Sequence, residues 1–172
     1  MLRILIDGYN FILQSPAYGP MARRDLEAGR DALIKDLSRY RKMKGYALTV
    51  VFDGGLLLPP WGGGGKQWGV EVVFSPPSKT ADEIIKRLVG QKGGTVLVVT
   101  SDRELALSCE RQGATVISAG EFENRLKKAL SAETEVEIRD DTDQPSRGTV
   151  KKGPSRRLSK KERHRRARLD SL

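Results

Sequence analysis

Residues 2–7, 47–52, 70–74, 95–99 and 114–117 are short apolar runs rich in Val, Ile and Leu, and segments of helical periodicity separate most of them. Apolar residues spaced at i, i+3, i+4 mark these segments. Leu26, Leu33, Ile34, Leu37 and Tyr40 predict a helix over about 23–43. Ala81, Ile84, Ile85, Leu88 and Val89 predict one over 81–90. A further helix is expected at 103–112, and Phe122, Leu126 and Leu130 predict a last one over 121–130. Strands that are apolar throughout, alternating with helices, belong to a parallel sheet covered on both faces. The expected fold is therefore α/β: three layers, α/β/α, around a central parallel sheet of Rossmannoid type. Residues 54–69, with Gly62-Gly63-Gly64-Gly65, read as a loop. The apolar pattern stops near residue 132. An acidic stretch from Glu133 to Asp143 leads there into Lys, Arg and Ser, a composition that cannot bury a core. The expected division is a folded domain over 1–131 and a flexible, disordered tail over 132–172.

Charge follows the same division. The net charge is +9, and residues 147–172 hold 11 Lys and Arg against 2 Asp and Glu, so the whole excess lies in the tail. The segment that precedes it is neutral. This points to a basic anchor attached to a domain that is not itself basic. No apolar run approaches the roughly 18–20 residues that span a bilayer, and Met1-Leu2-Arg3 is charged too early for a signal peptide. The single cysteine, Cys109, falls among helix-core positions, where it reads as buried filler; a reducing cytoplasm is the expected setting. The single histidine, His164, lies in the tail, which excludes a Ser-His-Asp triad and a Cys/His zinc cluster. Any catalysis must rest on carboxylates.

Four aspartates stand where such carboxylates are needed. Asp7 ends the first apolar run and Asp53 follows the second. Asp82 opens the helix after the third, and Asp102 follows Val98-Val99-Thr100-Ser101. In a parallel sheet all four lie at one edge, beyond the carboxyl ends of the strands, where ligands of such sheets bind. Converging carboxylates repel one another, and a divalent cation relieves that repulsion. Mg²⁺ and Mn²⁺ prefer oxygen donors, and either would activate water for attack on phosphorus. Each aspartate also has a purely structural reading. Asp7-Gly8 and Asp53-Gly54 are turn dipeptides. Thr80-Ala81-Asp82-Glu83 and Ser101-Asp102-Arg103-Glu104 fit helix capping boxes, with Glu83 and Glu104 as capping acids.

Ile4-Leu5-Ile6-Asp7-Gly8-Tyr9-Asn10 resembles the opening signature of NYN domains, a branch of the PIN-like nucleases. Val50-Val51-Phe52-Asp53, Thr80-Ala81-Asp82 and Thr100-Ser101-Asp102 resemble the next three blocks in the same order, over roughly residues 2–130. The nearest group is that of bacterial YacP-like NYN proteins, some of which act as ribosome-associated endoribonucleases. The resemblance implies a metal-dependent endoribonuclease using Mg²⁺ or Mn²⁺. Asp7, Asp82 and Asp102 match the metal-binding acids, with Asp53 beside them, and Asn10 matches an assisting residue. The tail lies outside this resemblance.

Further residues point to RNA. Arg30 shares the apolar face of its helix, so its charge needs a partner: an aspartate, or a phosphate. Trp61 and Trp68 flank the loop glycines, and either stack on unpaired bases or plug the sheet edge. Lys151, Lys152, Arg156, Arg157, Lys160, Lys161, Arg165 and Arg166 form an aromatic-free basic series. It suits an electrostatic anchor on RNA or the ribosome, or a solubilising tail; a membrane surface fits poorly without an apolar face. Two function classes follow: an endoribonuclease, or a non-catalytic RNA- or ribosome-binding module on the same fold. A haloacid-dehalogenase-type phosphatase would need a second acid at residue 9, where Tyr9 stands. A receiver domain would carry a Lys after the last strand, where Gly120 and Glu121 stand.

Overall fold

A computed structural model describes residues 1–54, 64–91 and 95–139. The elements run β1 (Arg3–Asp7), α1 (Gly8–Gln14), α2 (Gly19–Arg24), α3 (Leu26–Lys44), β2 (Ala47–Phe52), β3 (Gly64–Gln67), β4 (Val70–Phe74), α4 (Ala81–Gly90), β5 (Val96–Val99), α5 (Arg103–Arg111), β6 (Thr115–Ile117) and α6 (Ala119–Arg139). They build one six-stranded sheet in the order β3-β4-β2-β1-β5-β6. Five strands are parallel; β3 alone is antiparallel, on β4.

Period-two alternation in β1 divides the core between the two faces. Leu5 points into a cluster with Ile84, Ile85 and Val89 of α4 and Leu105 and Cys109 of α5. Burial pushes the Cys109 thiol up to about 11, as suits an inert filler. On the opposite face, Phe122 of α6 meets Phe11 of α1 at 6.0 Å and Tyr40 of α3 at 5.7 Å between ring centroids. Helices therefore cover both sides of the sheet. No helix among the described residues is long and apolar enough to cross a membrane.

The structure departs from the sequence expectations in four places. The expected helix over 23–43 is broken at Asp25, whose Oδ1 accepts from the Glu27 and Ala28 N–H groups at 2.9 and 3.1 Å and so caps α3. The seven-residue α1 was not expected, because only Phe11 and Ile12 mark its buried side. The expected loop over 54–69 contains strand β3, whose exposed glycines show no apolar alternation. Gly64 is required there: a Cβ would lie 2.5 Å from the Val72 carbonyl oxygen. Finally, α6 continues past residue 130 to Arg139, a stretch in which Ala, Glu and Arg favour helix. Trp61 and the basic series from Lys151 to Arg166 lie outside the described residues.

Candidate active site

The sheet register brings the strand ends together. Asp7 is level with Val51 of β2, and Ile6 with Val99 of β5, so Asp53 and Thr100-Ser101-Asp102 leave at the same edge. The chain passes from β1 through β2 to β4 on one side, then returns to place β5 on the other side of β1. The gap between β1 and β5 is therefore the topological switch point, where open α/β sheets bind ligands. Asp7 and Asp102 stand on its two sides.

A short hydrogen-bond chain ties these segments together. The Thr100 hydroxyl donates to Asp7 Oδ2 at 3.0 Å and accepts from the Asp102 N–H at 3.1 Å. Asp102 Oδ1 accepts from the Leu105 N–H at 2.9 Å, which caps α5. Asn10 Oδ1 accepts from the Ser101 N–H at 2.9 Å, stitching the start of α1 to the β5–α5 loop. Asp7-Gly8 is tight for a further reason: a Cβ on Gly8 would meet the Phe52 ring at 2.3 Å, so only glycine lets α1 leave the strand at this angle.

Asp53 has a different role from Asp7. Its Oδ1 accepts from the Ala81 N–H at 2.8 Å and the Ser75 hydroxyl at 3.3 Å. Thr80 and Glu83 complete a reciprocal capping box at the same helix end. Asp53 thus anchors the first turn of α4 and with it Asp82. Glu83 is occupied as a cap.

Asp7 is 8% exposed. Burial raises its pKa from 3.8 to about 6; the Thr100 hydroxyl and nearby Asn10 N–H oppose this, while Asp82 and Asp53 add to it. The Asp82 pKa is also raised, by burial first and then by Asp102, with Lys86 opposing and Asp53 and Glu104 contributing. Asp7 and Asp82 are therefore each held against the negative charge of neighbouring aspartates. Among the described residues, however, no three Asp, Glu, His or Cys side chains stand close enough to hold an ion directly. The expected convergence is one of edge and charge, not a closed ligand shell. Such a donor set fits a hard cation that keeps several waters and takes one or two carboxylates. It does not fit a dry protein cage.

Arg30 is 7% exposed and pairs with no carboxylate among the described residues. Its Nη1 donates to the Tyr9 hydroxyl at 2.9 Å, and its guanidinium lies 5.5 Å from the Phe74 ring centroid. The ion pair with an aspartate that the sequence allowed is therefore replaced by a phenol and a cation–π contact. Tyr9 packs on Phe52 at 4.9 Å, and Phe52 stacks on Phe74 at 5.5 Å. Trp68 is elsewhere. It sits in the β3–β4 turn, and Gln67 pairs with Val70, so this turn lies at the amino edge of β4, opposite the aspartates. At 60% exposure it is no plug. Sequence reasoning passed over Thr100 and Tyr9 as site residues. Their only signal was position, immediately beyond a buried strand and immediately after Asp7-Gly8.

Comparison with known proteins agrees with this fold. The family model described as YacP-like NYN domain, a nuclease-like family, matches residues 4–169, which includes the basic tail that the quoted motifs had left aside. A curated relative, uncharacterized protein YacP of Bacillus subtilis (strain 168), is 33% identical over 141 residues, 79% of each chain. The crystal structure of Rae1 (YacP) from Bacillus subtilis superposes with a TM-score of 0.65 at 30% identity, covering 83% of this chain and 82% of that one. A crystal structure of a mutant of the same Bacillus subtilis protein gives 0.68 at 29% identity, covering 83% and 84%. The chain belongs to the YacP-like NYN domain family.

Proposed function

We propose that this protein is a metal-dependent endoribonuclease that hydrolyses RNA phosphodiester bonds. The observation that carries this reading is the buried Asp7 at the switch point, held by the Thr100 hydroxyl and repelled by Asp82 and Asp53. Asp7, Asp82 and Asp102 would hold Mg²⁺ or Mn²⁺, in part through water. When bound, the cation supplies a nucleophilic water and stabilises charge on the phosphate oxygens. The chain's own residues do the rest. Thr100 fixes the orientation of Asp7, Asn10 fixes the β5–α5 loop, and Asp53 fixes Asp82 through the start of α4. Arg30 holds the Tyr9 hydroxyl, and the pair would face the phosphate backbone. The basic series in residues 147–172 would anchor long RNA or the ribosome in the cytoplasm.

The absence of a closed three-carboxylate cluster among the described residues favours a second reading, an RNA- or ribosome-binding module that does not cut. Single-turnover incubation of a short RNA with Mn²⁺ separates the two. Cleavage that chelation abolishes supports the first reading; intact RNA at protein excess supports the second.

Asp7→Asn is expected to lower cleavage by about 10²–10³-fold, the usual loss when one charge-stabilising group is removed. The same substitution should stabilise the metal-free fold. Because the folded pKa is raised, the ionised form is penalised: the penalty is absent below the unfolded value of 3.8, grows as pH rises toward about 6, and is complete above it. A shift of this size corresponds to a gain on the order of 3 kcal/mol at pH 7. Urea unfolding in EDTA at pH 4 and pH 7 checks it, and equal stability of both proteins at pH 7 would contradict it.

Thr100→Val removes the hydroxyl that lowers the Asp7 pKa. The acid limb of the pH–rate profile should move to higher pH, and Thr100→Ser should restore it. An unmoved limb with normal activity would remove Thr100 from the site.

Truncation after Ser146 removes the segment that carries the net +9. Cleavage of a short RNA at saturation should be nearly unchanged. Binding to long RNA should weaken, with the log–log salt slope falling by roughly 0.7–0.9 for each lost phosphate contact. Titrations at three salt concentrations measure this; an unchanged slope would exclude the tail as anchor.

A further inference from the structure

The outer face of α3 and the β3–β4 turn form a groove of about 480 Å³ lined by Lys35, Ser38, Arg39, Lys42 and Trp68. The helix contributes residues at i, i+3, i+4 and i+7, one continuous face. No acidic side chain lines it. Arg39 makes a loose 3.9 Å pair with Asp36, and Lys35 and Lys42 pair with no carboxylate among the described residues. The two lysines therefore present unneutralised charge beside an indole that is 60% exposed.

The way this indole is held is unusual. Trp68 has φ +47° and Gly69 φ +86°, as a two-residue hairpin loop requires, and Trp68 is the only non-glycine residue with positive φ among those described. Asn, Asp or Gly suits such a position; a bulky aromatic side chain does not. The Ser38 hydroxyl donates to the Trp68 carbonyl at 2.8 Å and fixes the turn against α3. The residue least suited to the turn thus stands exposed, over a row of cations. Strain of this kind collects where a ligand is bound.

The groove is distinct from the aspartate edge. α3 leads into β2 and so runs against the strands, with Arg30 near the carboxyl edge and Lys42 near the amino edge. From residue 30 to residue 42 the helix rises roughly 18 Å.

We propose that this groove is a subsite for single-stranded RNA, in which Trp68 stacks on an unpaired base and Lys35 and Lys42 contact the flanking phosphates. The inference rests on the reading of the protein as one that acts on RNA. An exposed aromatic face among cations suits an unpaired strand, because a duplex buries its base faces. RNA held here lies away from the cut, so the subsite governs which RNA is engaged and not the chemistry.

Fluorescence anisotropy of a labelled, unstructured 12-nucleotide RNA tests this in EDTA, where binding is read without cleavage. Trp68→Asn keeps a residue that the turn favours and removes the indole. Its melting temperature should be equal or higher, and its affinity roughly 5- to 150-fold weaker, with Trp68→Tyr largely restoring binding. Lys35→Ala with Lys42→Ala should lower the log–log salt slope by roughly 1.4. Duplex RNA should respond little to Trp68→Asn. Unchanged affinity and slope in these variants would overturn the proposal and leave the groove to a protein partner. A lower melting temperature with unchanged affinity would also overturn it, by showing that the indole packs the hairpin. Neither result touches the nuclease reading, which fails separately if wild type does not cut RNA with Mn²⁺.

Discussion

Parallel pairing of β2, β1 and β5 fixes where every chemically active side chain of this edge stands. In a parallel sheet, strands that start level also end level, so Asp7, Asp53 and Thr100 leave the sheet within one residue or two of each other in register. The crossover to β5 then opens the sheet beside β1. Asp7 is carried into that opening with little access to water, and its neighbours are negative. Folding tolerates this because backbone N–H groups and two hydroxyls, those of Thr100 and Ser75, hold the carboxylates in place. Thr100 holds Asp7, the start of α5 holds Asp102, and the start of α4 holds Asp53. The helix starts favour negative charge, which offsets part of the repulsion. What they leave uncompensated is what a cation would neutralise.

None of the ion pairs among the described residues involves Asp7, Asp53, Asp82 or Asp102. Arg30 is buried against Tyr9 and Phe74, and Lys35 and Lys42 lie along α3 toward the other edge. A lysine or arginine in contact with Asp7 would neutralise the carboxylate permanently and remove the reason to take up a metal. Lys86 is the one cation that lowers the Asp82 pKa, and it does so less than burial and Asp102 raise it. The separation suits a protein that must hold a polyanion without quenching its own acidic centre.

Much of this was legible in the sequence, for a definite reason. Strands buried on both faces are nearly apolar throughout, so β1, β2, β5 and β6 stand out, as does β4 despite its exposed Glu71, and an aspartate at the end of such a strand is conspicuous. Asp7, Asp53, Asp82 and Asp102 could therefore be placed at one edge before any coordinates. β3 could not be seen, because Gly64 and Gly65 carry no pattern and the strand exists through a turn at Trp68-Gly69. The break at Asp25 was hidden because a capping aspartate looks like any surface acid until its backbone partners are known. The differing roles of Asp7 and Asp53 were also invisible. Sequence places a carboxylate, but only coordinates show that one oxygen of Asp53 is taken up by Ala81 and Ser75. Arg30 was rightly marked as a charge on an apolar face, yet its partners, a phenol and a ring, lie outside the pairing rules that sequence suggests.

If a divalent cation satisfies the shared charge of the aspartates at the switch point, metal uptake and proton loss must be linked. Calorimetric titration of Mn²⁺ into the metal-free protein near pH 6, repeated in two buffers of different ionisation enthalpy, tests it most directly, because a metal entering a partly protonated carboxylate cluster must expel protons. Wild type should show saturable binding with net proton release, and Asp7→Asn should lose both. Absence of saturable binding, or binding and proton release that persist unchanged in Asp7→Asn, would contradict it.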